Sequence, residues 1–331
     1  MVNLDQFCNF QIRSISFALL MILSGCTSTT AQTSVTSEQP NSISTYFDYK
    51  LISPQNHSIT MQNLLSDSEK ANVVLVGEWH GHSAIHRFQT DLLHAMVQQN
   101  SNLALSMEQF TRDRQAVVDQ YLAGEIGETT LIKEADAWPN YTSDYRPLIE
   151  LAKVNKLDVI AANAPAQIVS CIAREGSDYI NKLPKKERSW LAETISLQDS
   201  AYKKRFIKAS AHHGDAVQNS KQFAAQVTWD ETMADSIVRY LKQYPDKRVM
   251  HIAGKFHVED GLGIASSILA RAPHLKIVII TPVDVEQRLE QTSGDYRLQV
   301  LGLPQQFVKN GNMRAYFKGL SGRNNHLQCI Q

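Results

Sequence analysis

Short apolar runs alternate with amphipathic segments along most of the chain. The β-branched run from Val73 to Val76 ends in Gly77. Apolar residues then recur every three or four positions, at Ile85, Phe88, Leu92, Leu93 and Met96. A run that passes through a tight loop into such a period predicts a buried parallel strand followed by a helix. The pattern returns at 103–107 and 157–162, and three such repeats predict an α/β fold with a parallel-sheet core and flanking helices.

Weaker patterns extend this sheet. The alternating segment 46–51 predicts a short edge strand, and apolar runs at 248–253 and 276–280 predict two further buried strands. Residues 296–301 predict a hairpin-like tail. The predicted sheet therefore draws on both ends of the globular part of the chain.

The stretch from about 166 to 239 lacks a strand pattern and is rich in Lys and Arg, with aromatic residues between them. It predicts an all-helical subdomain inserted into the order of the sheet. An ordinary solvated helix face, with lysine stems lying along apolar surface, explains the same composition. We expect Trp229 and Asp230 to pack this subdomain onto the sheet and to cap a helix, and the sequence gives them no evident chemical role.

The first 26 residues resemble a bacterial lipoprotein signal peptide. Arg13 precedes the apolar run 15–22, and the segment 23–26, Leu-Ser-Gly-Cys, resembles a lipobox. The resemblance implies cleavage before Cys26 and lipidation of its thiol. The apolar run is shorter than the roughly 20 residues that span a bilayer, so we expect a lipid anchor rather than a spanning helix. Thr27 after the cysteine indicates the outer membrane of a bacterial cell envelope, by resemblance to lipoprotein sorting signals.

A tether separates this signal from the globular domain. Residues 27–45 are dense in Ser and Thr and have no apolar period, which predicts a flexible linker. The α/β domain, including the helical subdomain, then takes residues 46–331.

Composition narrows the classes of partner and site. The 331 residues contain 33 Lys and Arg against 33 Asp and Glu, a formal net charge of +0, which gives no case for a nucleic-acid partner. The four cysteines show no CxxC spacing, which argues against a cysteine zinc site or a disulfide scaffold. Whether Cys171 and Cys329 pair stays open.

Polar side chains follow several predicted strands at the point where each strand ends. Two Gly-x-x-His loops end in His80 and His257, and Glu78, Glu108 and Asn163 stand at other strand ends. Parallel strands bring their carboxyl ends to one edge of a sheet, so we expect these groups to line one cleft. Such a set can bind a divalent metal through His80 and His257, or act as general acid and base. Alternatively, these groups cap helices and hydrogen-bond one another.

A set of motifs together resembles the ChaN family of haem-binding lipoproteins, within the wider Tiki, TraB and EreA-like superfamily. The resemblance runs from about 73 to 283. Its motifs are the segment 73–86, Met107-Glu108-Gln109-Phe110, Asp144-Tyr145-Arg146-Pro147, Ala162-Asn163-Ala164-Pro165, the segment 229–234 and Ala253-Gly254-Lys255-Phe256-His257. Their common order and spacing make the set specific, and Tyr145 and Arg146 are thereby placed with the cleft residues.

This resemblance implies a haem-binding protein of haem or iron uptake. It implies homodimers that hold two haems face to face with a tyrosine bound to iron, and an outer-membrane haem receptor as a partner. The wider superfamily implies instead a hydrolase, metal-dependent or not, at the cleft of histidines and glutamates. We therefore expect a binding protein, with a hydrolase as the alternative.

The helical insert contains the ingredients of a haem site. A haem needs apolar or aromatic surface, cations for its propionates and an axial ligand, and a phenolate favours ferric iron. Tyr202 is followed by Lys203 and Arg205, and His212 and His213 come shortly after. The composition around Tyr202 therefore makes it the candidate iron ligand, and Tyr141 and Tyr145 are the alternatives.

Overall fold

The computed structural model describes residues 42–210, 215–287, 294–323 and 327–331. The signal segment with Cys26, most of the tether, and His212 and His213 lie outside the described residues. The predictions made for them therefore stay predictions.

The core is a sheet of eight strands in the order β2-β1-β8-β7-β3-β6-β4-β5. The strands are β1 (Lys50–Ile52), β2 (Ser58–Ile59), β3 (Val73–Glu78), β4 (Leu103–Thr111), β5 (Asp158–Asn163), β6 (Arg248–Gly254), β7 (Ile277–Asp284) and β8 (Tyr296–Val300). Strands β8, β7, β3, β6, β4 and β5 run parallel, and β1 and β2 extend the sheet antiparallel. The fold is a mixed α/β fold built on a mostly parallel sheet, as the sequence predicts.

Helices cover both faces of this sheet. They are α1 (Met61–Asp67), α2 (Ser83–Gln99), α3 (Gln115–Leu122), α4 (Glu128–Glu134), α5 (Arg146–Val154), α6 (Ala166–Glu175), α7 (Lys185–Arg188), α8 (Ala201–Ser210), α9 (Ala216–Gln243), α10 (Lys255–Val258), α11 (Ile264–Arg271) and α12 (Asn310–Arg323). A π-helical turn, Tyr141–Tyr145, leads into α5.

Alternate residues of β3 enter two separate cores. Val74 and Val76 pack with α2 and α5, whereas Val73 and Leu75 pack with α9 and α11. Because neighbouring side chains of a strand point to opposite faces, a strand buried on both sides must be apolar at every position. This is why the sequence signal of β3 is a continuous apolar run rather than an alternation.

Two details of the sheet differ from the sequence prediction. The segment predicted as a hairpin-like tail is β8, which pairs parallel with β7 and antiparallel with β1. Accordingly β1 lies inside the sheet, and β2 rather than β1 is the edge strand on that side. Alternation of apolar residues identifies a half-buried strand but carries no information about the direction or identity of its neighbours.

The described part of the segment 166–239 contains helices α6 to α9 and no strand, with an irregular stretch at 189–200. Its long helix α9 packs directly on the sheet through Met233 and Ile237. A disulfide joins Cys171, on α6, to Cys329 in the C-terminal segment. Among the described residues, no helix combines the length and apolar character needed to cross a membrane.

Candidate functional site

The carboxyl ends of β3, β4 and β6 carry the ionisable groups at one edge of the sheet. Glu78 closes β3 and lies in register with Gly254, the last residue of β6. The backbone N–H of Gly254 donates to Glu108 Oε2 over 2.6 Å. We call this set the strand-edge cluster: Glu78, His80, Glu108, Gly254 and His257.

The cluster has two halves on opposite faces of the sheet. Glu78 bonds to residues of α2 and of the π-helical turn, on one face. Glu108 lies 3.6 Å from His257, whose partner Asp230 belongs to α9 on the other face. The sequence predicts one shared cleft, and the structure places the two carboxylates on either side of the β6 tip.

Glu78 is a buried carboxylate that accepts four hydrogen bonds. His80 Nδ1 at 2.7 Å, Tyr145 hydroxyl at 2.7 Å and Gln109 Nε2 at 3.1 Å bond to Oε1, and Gln89 Nε2 at 2.7 Å bonds to Oε2. Burial alone would raise the pKa of Glu78, but the bond from His80 and the nearby imidazoles hold this pKa below its ordinary value. The side chain is therefore a fixed anion.

His80 is the most accessible member of the cluster, with 47% of its side chain exposed. Glu78 fixes its Nδ1, and the edge of Trp138 packs against its ring at a centroid distance of 4.9 Å. Burial alone would lower the pKa of His80, but the bond to Glu78 outweighs burial and raises it. A carboxylate behind Nδ1 leaves Nε2 as the reactive nitrogen of such a histidine.

His86, held by the backbone of Gly81, fixes the orientation of Gln89. His86 Nδ1 lies 3.0 Å from Gln89 Oε1, while the Gly81 N–H donates to His86 Nε2 over 3.2 Å. Because Nε2 accepts, Nδ1 carries the proton and donates to the Gln89 oxygen. The amide nitrogen of Gln89 is thereby turned toward Glu78.

His257 lies between two carboxylates. Its Nδ1 bonds to Asp230 Oδ1 over 2.7 Å, and its Nε2 is 3.6 Å from Glu108 Oε1. Burial alone would lower the pKa of His257, but the negative charges of Asp230 and Glu108 raise it to about 9. His257 is therefore a cationic proton donor at neutral pH.

Tyr202, the sequence candidate for an iron ligand, orients this half of the cluster. Its hydroxyl donates to Asp230 Oδ2 over 2.7 Å and accepts from Gln226 Nε2 over 3.0 Å. The side chain is buried, and burial together with the Asp230 charge raises the pKa of the phenol far above its ordinary value. A buried phenol that donates to a carboxylate does not favour the role of haem ligand.

The basic neighbours of Tyr202 have separate partners. Lys203 pairs with Asp199 over 2.7 Å at the surface. Arg205 lies over the ring of Phe256 at 4.7 Å and donates to the Phe256 carbonyl over 2.9 Å. Arg205 thus fastens α8 to α10, the short helix that carries His257.

The two histidines meet at Gly254. An ideal Cβ at this position would lie 3.1 Å from His80 Nε2 and 3.5 Å from His257 Cδ2. Any side chain here would press on the His80 ring, so glycine keeps open the gap between the imidazoles. The structure therefore brings His80 and His257 to one place, although their carboxylate partners lie on different faces.

Two other residues predicted to line the cleft, Arg146 and Asn163, bond to the surrounding structure instead. Arg146 points to Glu128, with its Nη2 3.0 Å from Oε2, and does not bond to the cluster. Asn163 donates to the Glu108 carbonyl over 3.0 Å and accepts from the Ala164 N–H over 2.9 Å. It therefore fixes the end of β4 rather than facing a ligand.

Asp230 is a candidate site residue that sequence reasoning missed. The expectation that Asp230 caps a helix is wrong, because it lies in the middle of α9, where it bonds to both His257 and Tyr202. A carboxylate on the buried face of a long helix indicates such a residue, because a buried charge requires a partner.

The described residues give no support to a metal ion held by His80 and His257. Across the parts of the chain that the structure describes, no group of three or more His, Cys, Asp or Glu side chains is arranged to hold a metal ion.

The comparison with protein families identifies the chain. The model described as haem-binding uptake, Tiki superfamily, ChaN matches residues 64–268, well over half of the sequence. The chain belongs to this family. The matched segment runs from α1 to α11 and so includes both halves of the strand-edge cluster. No curated protein matches the chain significantly.

Solved structures agree on the fold. ChaN of Campylobacter jejuni, described by its cofacial heme binding, superposes with a TM-score of 0.62 at 19% identity, over 77% of this chain and 97% of that one. A mutant erythromycin esterase EreC gives a TM-score of 0.44 at 12% identity, over 83% and 87%. The type III effector HopBA1 gives 0.43 at 11% identity, over 78% and 99%. Only the first score is high enough to carry an argument, and it shows the fold alone.

Proposed function

We propose that this ChaN-family chain binds haem in haem or iron uptake at the bacterial cell envelope. The observation that carries this proposal is the family match over 64–268. The relative from Campylobacter jejuni, which binds heme cofacially, shares the fold and supports it. Haem supplies a redox-active iron and two carboxylates, and the protein's part is to bind, orient and shield it.

The tyrosines of the strand-edge region do not fit an iron ligand. Tyr145 and Tyr202 are buried, and their hydroxyls donate to Glu78 and Asp230. Tyr141 is 2% exposed, and its hydroxyl has no hydrogen-bond partner within the described residues. No buried phenol of this kind offers an open approach to a molecule as large as haem, so a haem site must use other residues.

Titration of the full-length chain, purified in detergent, with haemin tests the proposal. We expect a saturable shift of the Soret band relative to detergent alone. A titration curve identical to the detergent blank at micromolar protein overturns haem binding.

The anchoring at Cys26 belongs to the same proposal. The lipobox-like segment 23–26 supports lipidation, and the disulfide between Cys171 and Cys329 supports an oxidising compartment outside the cytoplasm. Metabolic labelling with palmitate should mark the chain but not a Cys26→Ala variant, and the label should co-fractionate with the outer membrane. Equal labelling of both proteins argues against lipidation at Cys26.

We also propose a homodimer that holds two haems face to face, and an outer-membrane haem receptor as the transport partner. Cofacial binding in the Campylobacter relative supports the dimer. Sedimentation of the haem-free and haem-loaded chain should show a shift from monomer toward dimer as haemin is added. A monomer at full loading contradicts it.

The strand-edge cluster supports a second candidate, a hydrolase that works by acid–base chemistry. His80 and His257 converge at Gly254, and a carboxylate holds Nδ1 of each. In this proposal His257 donates the proton to a leaving group, while His80, orientated by Glu78, exchanges protons with the attacking water.

Substitutions at three histidines distinguish a hydrolase from a protein that only binds haem. The rate of p-nitrophenyl acetate hydrolysis should fall about 100-fold in His80→Ala and His257→Ala, the scale of a single acid–base group. It should not fall in the exposed control His94→Ala. Equal rates in all three variants contradict the hydrolase proposal. Metal analysis of the same samples tests whether such a hydrolase depends on a metal.

A further inference from the structure

The chain that follows β8 carries positive charge only. From residue 301 to the C-terminus it contains Lys309, Arg314, Lys318 and Arg323, and it contains no Asp or Glu. Because the whole chain has a formal net charge of +0, the rest of the chain carries the opposite excess. Lys309 and Arg314 are both exposed. Clustered cations of this kind attract a surface of negative charge.

Helix α12 combines these cations with an apolar spacing. Its sequence has Met313, Tyr316, Phe317 and Leu320 three or four positions apart, which is the spacing of an amphipathic helix. In a globular domain the apolar face of such a helix normally packs on the core. In α12, however, every residue from 310 to 316 is exposed. Apolar side chains of this helix therefore face solvent.

The segment before α12 adds apolar surface to the helix. Val308 is 84% exposed, and the ring of Phe307 lies against that of Tyr316, with 5.3 Å between the centroids. Exposed apolar surface with a polar rim marks a site of interaction with a protein or a membrane. We call this surface the C-terminal patch: Val308, Lys309, Met313, Arg314 and Tyr316.

Helix α12 has little intrinsic stability as a helix. It has 14 residues, and three of them are the glycines Gly311, Gly319 and Gly322. Helices of about 12–15 residues are marginal in water without tertiary packing, and glycine lowers helix propensity further. A surface that covers the apolar side chains would therefore stabilise the helix.

The C-terminal segment leaves the domain where the N-terminal segment enters it. Strands β1 and β8 pair antiparallel, so the start of β1 lies beside the end of β8. The Tyr46 hydroxyl donates to the Gly302 carbonyl over 3.0 Å. The chain between Cys26 and Ser42 can span at most roughly 55 Å, even when fully extended. A lipid at Cys26 would therefore hold this edge of the domain within reach of a bilayer.

We propose that the C-terminal patch docks on a bilayer that contains anionic phospholipids. Met313 and Tyr316 enter the boundary between head groups and acyl chains, and Lys309 and Arg314 lie against the lipid phosphates. Each cation near an anionic leaflet strengthens such binding by about fivefold. The neighbouring tether favours lipid over a protein partner, because the anchor brings a membrane to this edge. The proposal is independent of haem binding and relies on the proposed anchor only for proximity.

Amide hydrogen exchange of the full-length chain in vesicles measures the docking. An anchor at Cys26 inserts into phosphatidylcholine with or without phosphatidylglycerol, whereas the patch should distinguish the two. Exchange over 310–316 should slow at least about fivefold when phosphatidylglycerol is present, and exchange in α1 should not change. Raised salt should reverse the slowing because it screens the charges. Equal exchange over 310–316 in the two kinds of vesicle overturns the proposal.

Charge-reversal variants test the role of the cations. The double variant Lys309→Glu with Arg314→Glu should abolish the slowing caused by phosphatidylglycerol. The matched double variant Lys133→Glu with Lys242→Glu changes two exposed lysines, on α4 and α9, and should keep the slowing. If both double variants keep it, the patch is not the site of lipid contact.

A second matched pair tests the apolar contact. Met313 is 37% exposed on α12, and Leu269 is 41% exposed on α11. Met313→Ser should reduce the slowing, because it removes apolar surface that enters the bilayer, whereas Leu269→Ser should not. Equal exchange in these two variants contradicts insertion of α12.

Palmitate labelling of the same protein separates the patch from the anchor. If Cys26 carries no lipid, slowing by phosphatidylglycerol still supports the patch while the proposed anchor fails. If Cys26 carries lipid and the two kinds of vesicle give equal exchange, the patch is overturned while the anchor stands.

Discussion

At the scale of single residues, the carboxylates around His257 set its protonation and link it to stability. Asp230 and Glu108 outweigh burial and raise its pKa from 6.5 to about 9. The folded state therefore holds a proton that the unfolded state releases between these values. Stabilisation by this group is complete below pH 6.5 and is lost as the pH rises toward 9.

Urea unfolding between pH 6 and pH 9 measures this linkage. The free energy of unfolding should fall by up to about 3 kcal/mol across the window, because a pKa unit corresponds to about 1.4 kcal/mol. In His257→Gln, which keeps a hydrogen-bonding side chain without the titration, the fall should be much smaller. Parallel pH profiles for the two proteins contradict the raised pKa.

Replacing either of two buried tyrosines with phenylalanine should change the free energy of unfolding by different amounts. The Tyr145 hydroxyl donates to the Glu78 carboxylate, whereas the Tyr141 hydroxyl is buried without a partner within the described residues. Tyr145→Phe should lower the free energy of unfolding by about 2 kcal/mol, because it removes a hydrogen bond to a charged group. Tyr141→Phe should change it by less than about 0.5 kcal/mol, because it removes an unsatisfied group. Equal losses in chemical denaturation would falsify the bonding assigned to Glu78.

At the scale of elements, Gln115 protects the edge of the sheet. It bonds to both Val159 and Ala161 on β5 and leaves no free pairing site between them. Gln115→Ala should cost about 1–2 kcal/mol of unfolding free energy and should promote concentration-dependent association through the opened edge. The exposed Gln120→Ala on the same helix is the control. Light scattering that is identical for the two variants contradicts an edge-capping role.

The elements that the sequence predicts well are those with a continuous local signal. From β3 into α2, an apolar run is followed by apolar residues at a regular helical period. The local pattern of apolar residues therefore predicts both elements. The pairing of the tail strand β8 is not predicted by the sequence, because β8 lies between β7 and β1, and β1 is far away in the sequence. Local alternation cannot encode that choice.

In the strand-edge cluster, too, the residues with a local sequence signal are predicted and those placed by distant packing are not. Strand ends mark Glu78, His80, Glu108 and His257, and the sheet then brings them together at Gly254. Asp230 comes from the middle of a helix, where no turn or glycine marks it, and only the packing of α9 on the sheet places it beside His257. Likewise, the sequence does not show that Tyr202 is buried behind Asp230.

At the scale of the whole molecule, the disulfide ties the C-terminal segment to α6. Cys171 and Cys329 are separated by 158 residues, so the bond restricts a long loop in the unfolded chain. Cys329→Ser should lower the free energy of unfolding by about 2–4 kcal/mol. Reductant should destabilise the wild-type protein by a similar amount and leave the variant unchanged. A wild-type unfolding curve that does not respond to reductant contradicts this stabilisation.

Haem binding by the whole chain is the claim on which the functional account depends. Its most direct test is the stoichiometry of haemin at saturation, followed at the Soret band with protein well above the dissociation constant. The account predicts a sharp end point at one haemin per chain. A gradual, non-saturating rise that matches detergent alone contradicts it.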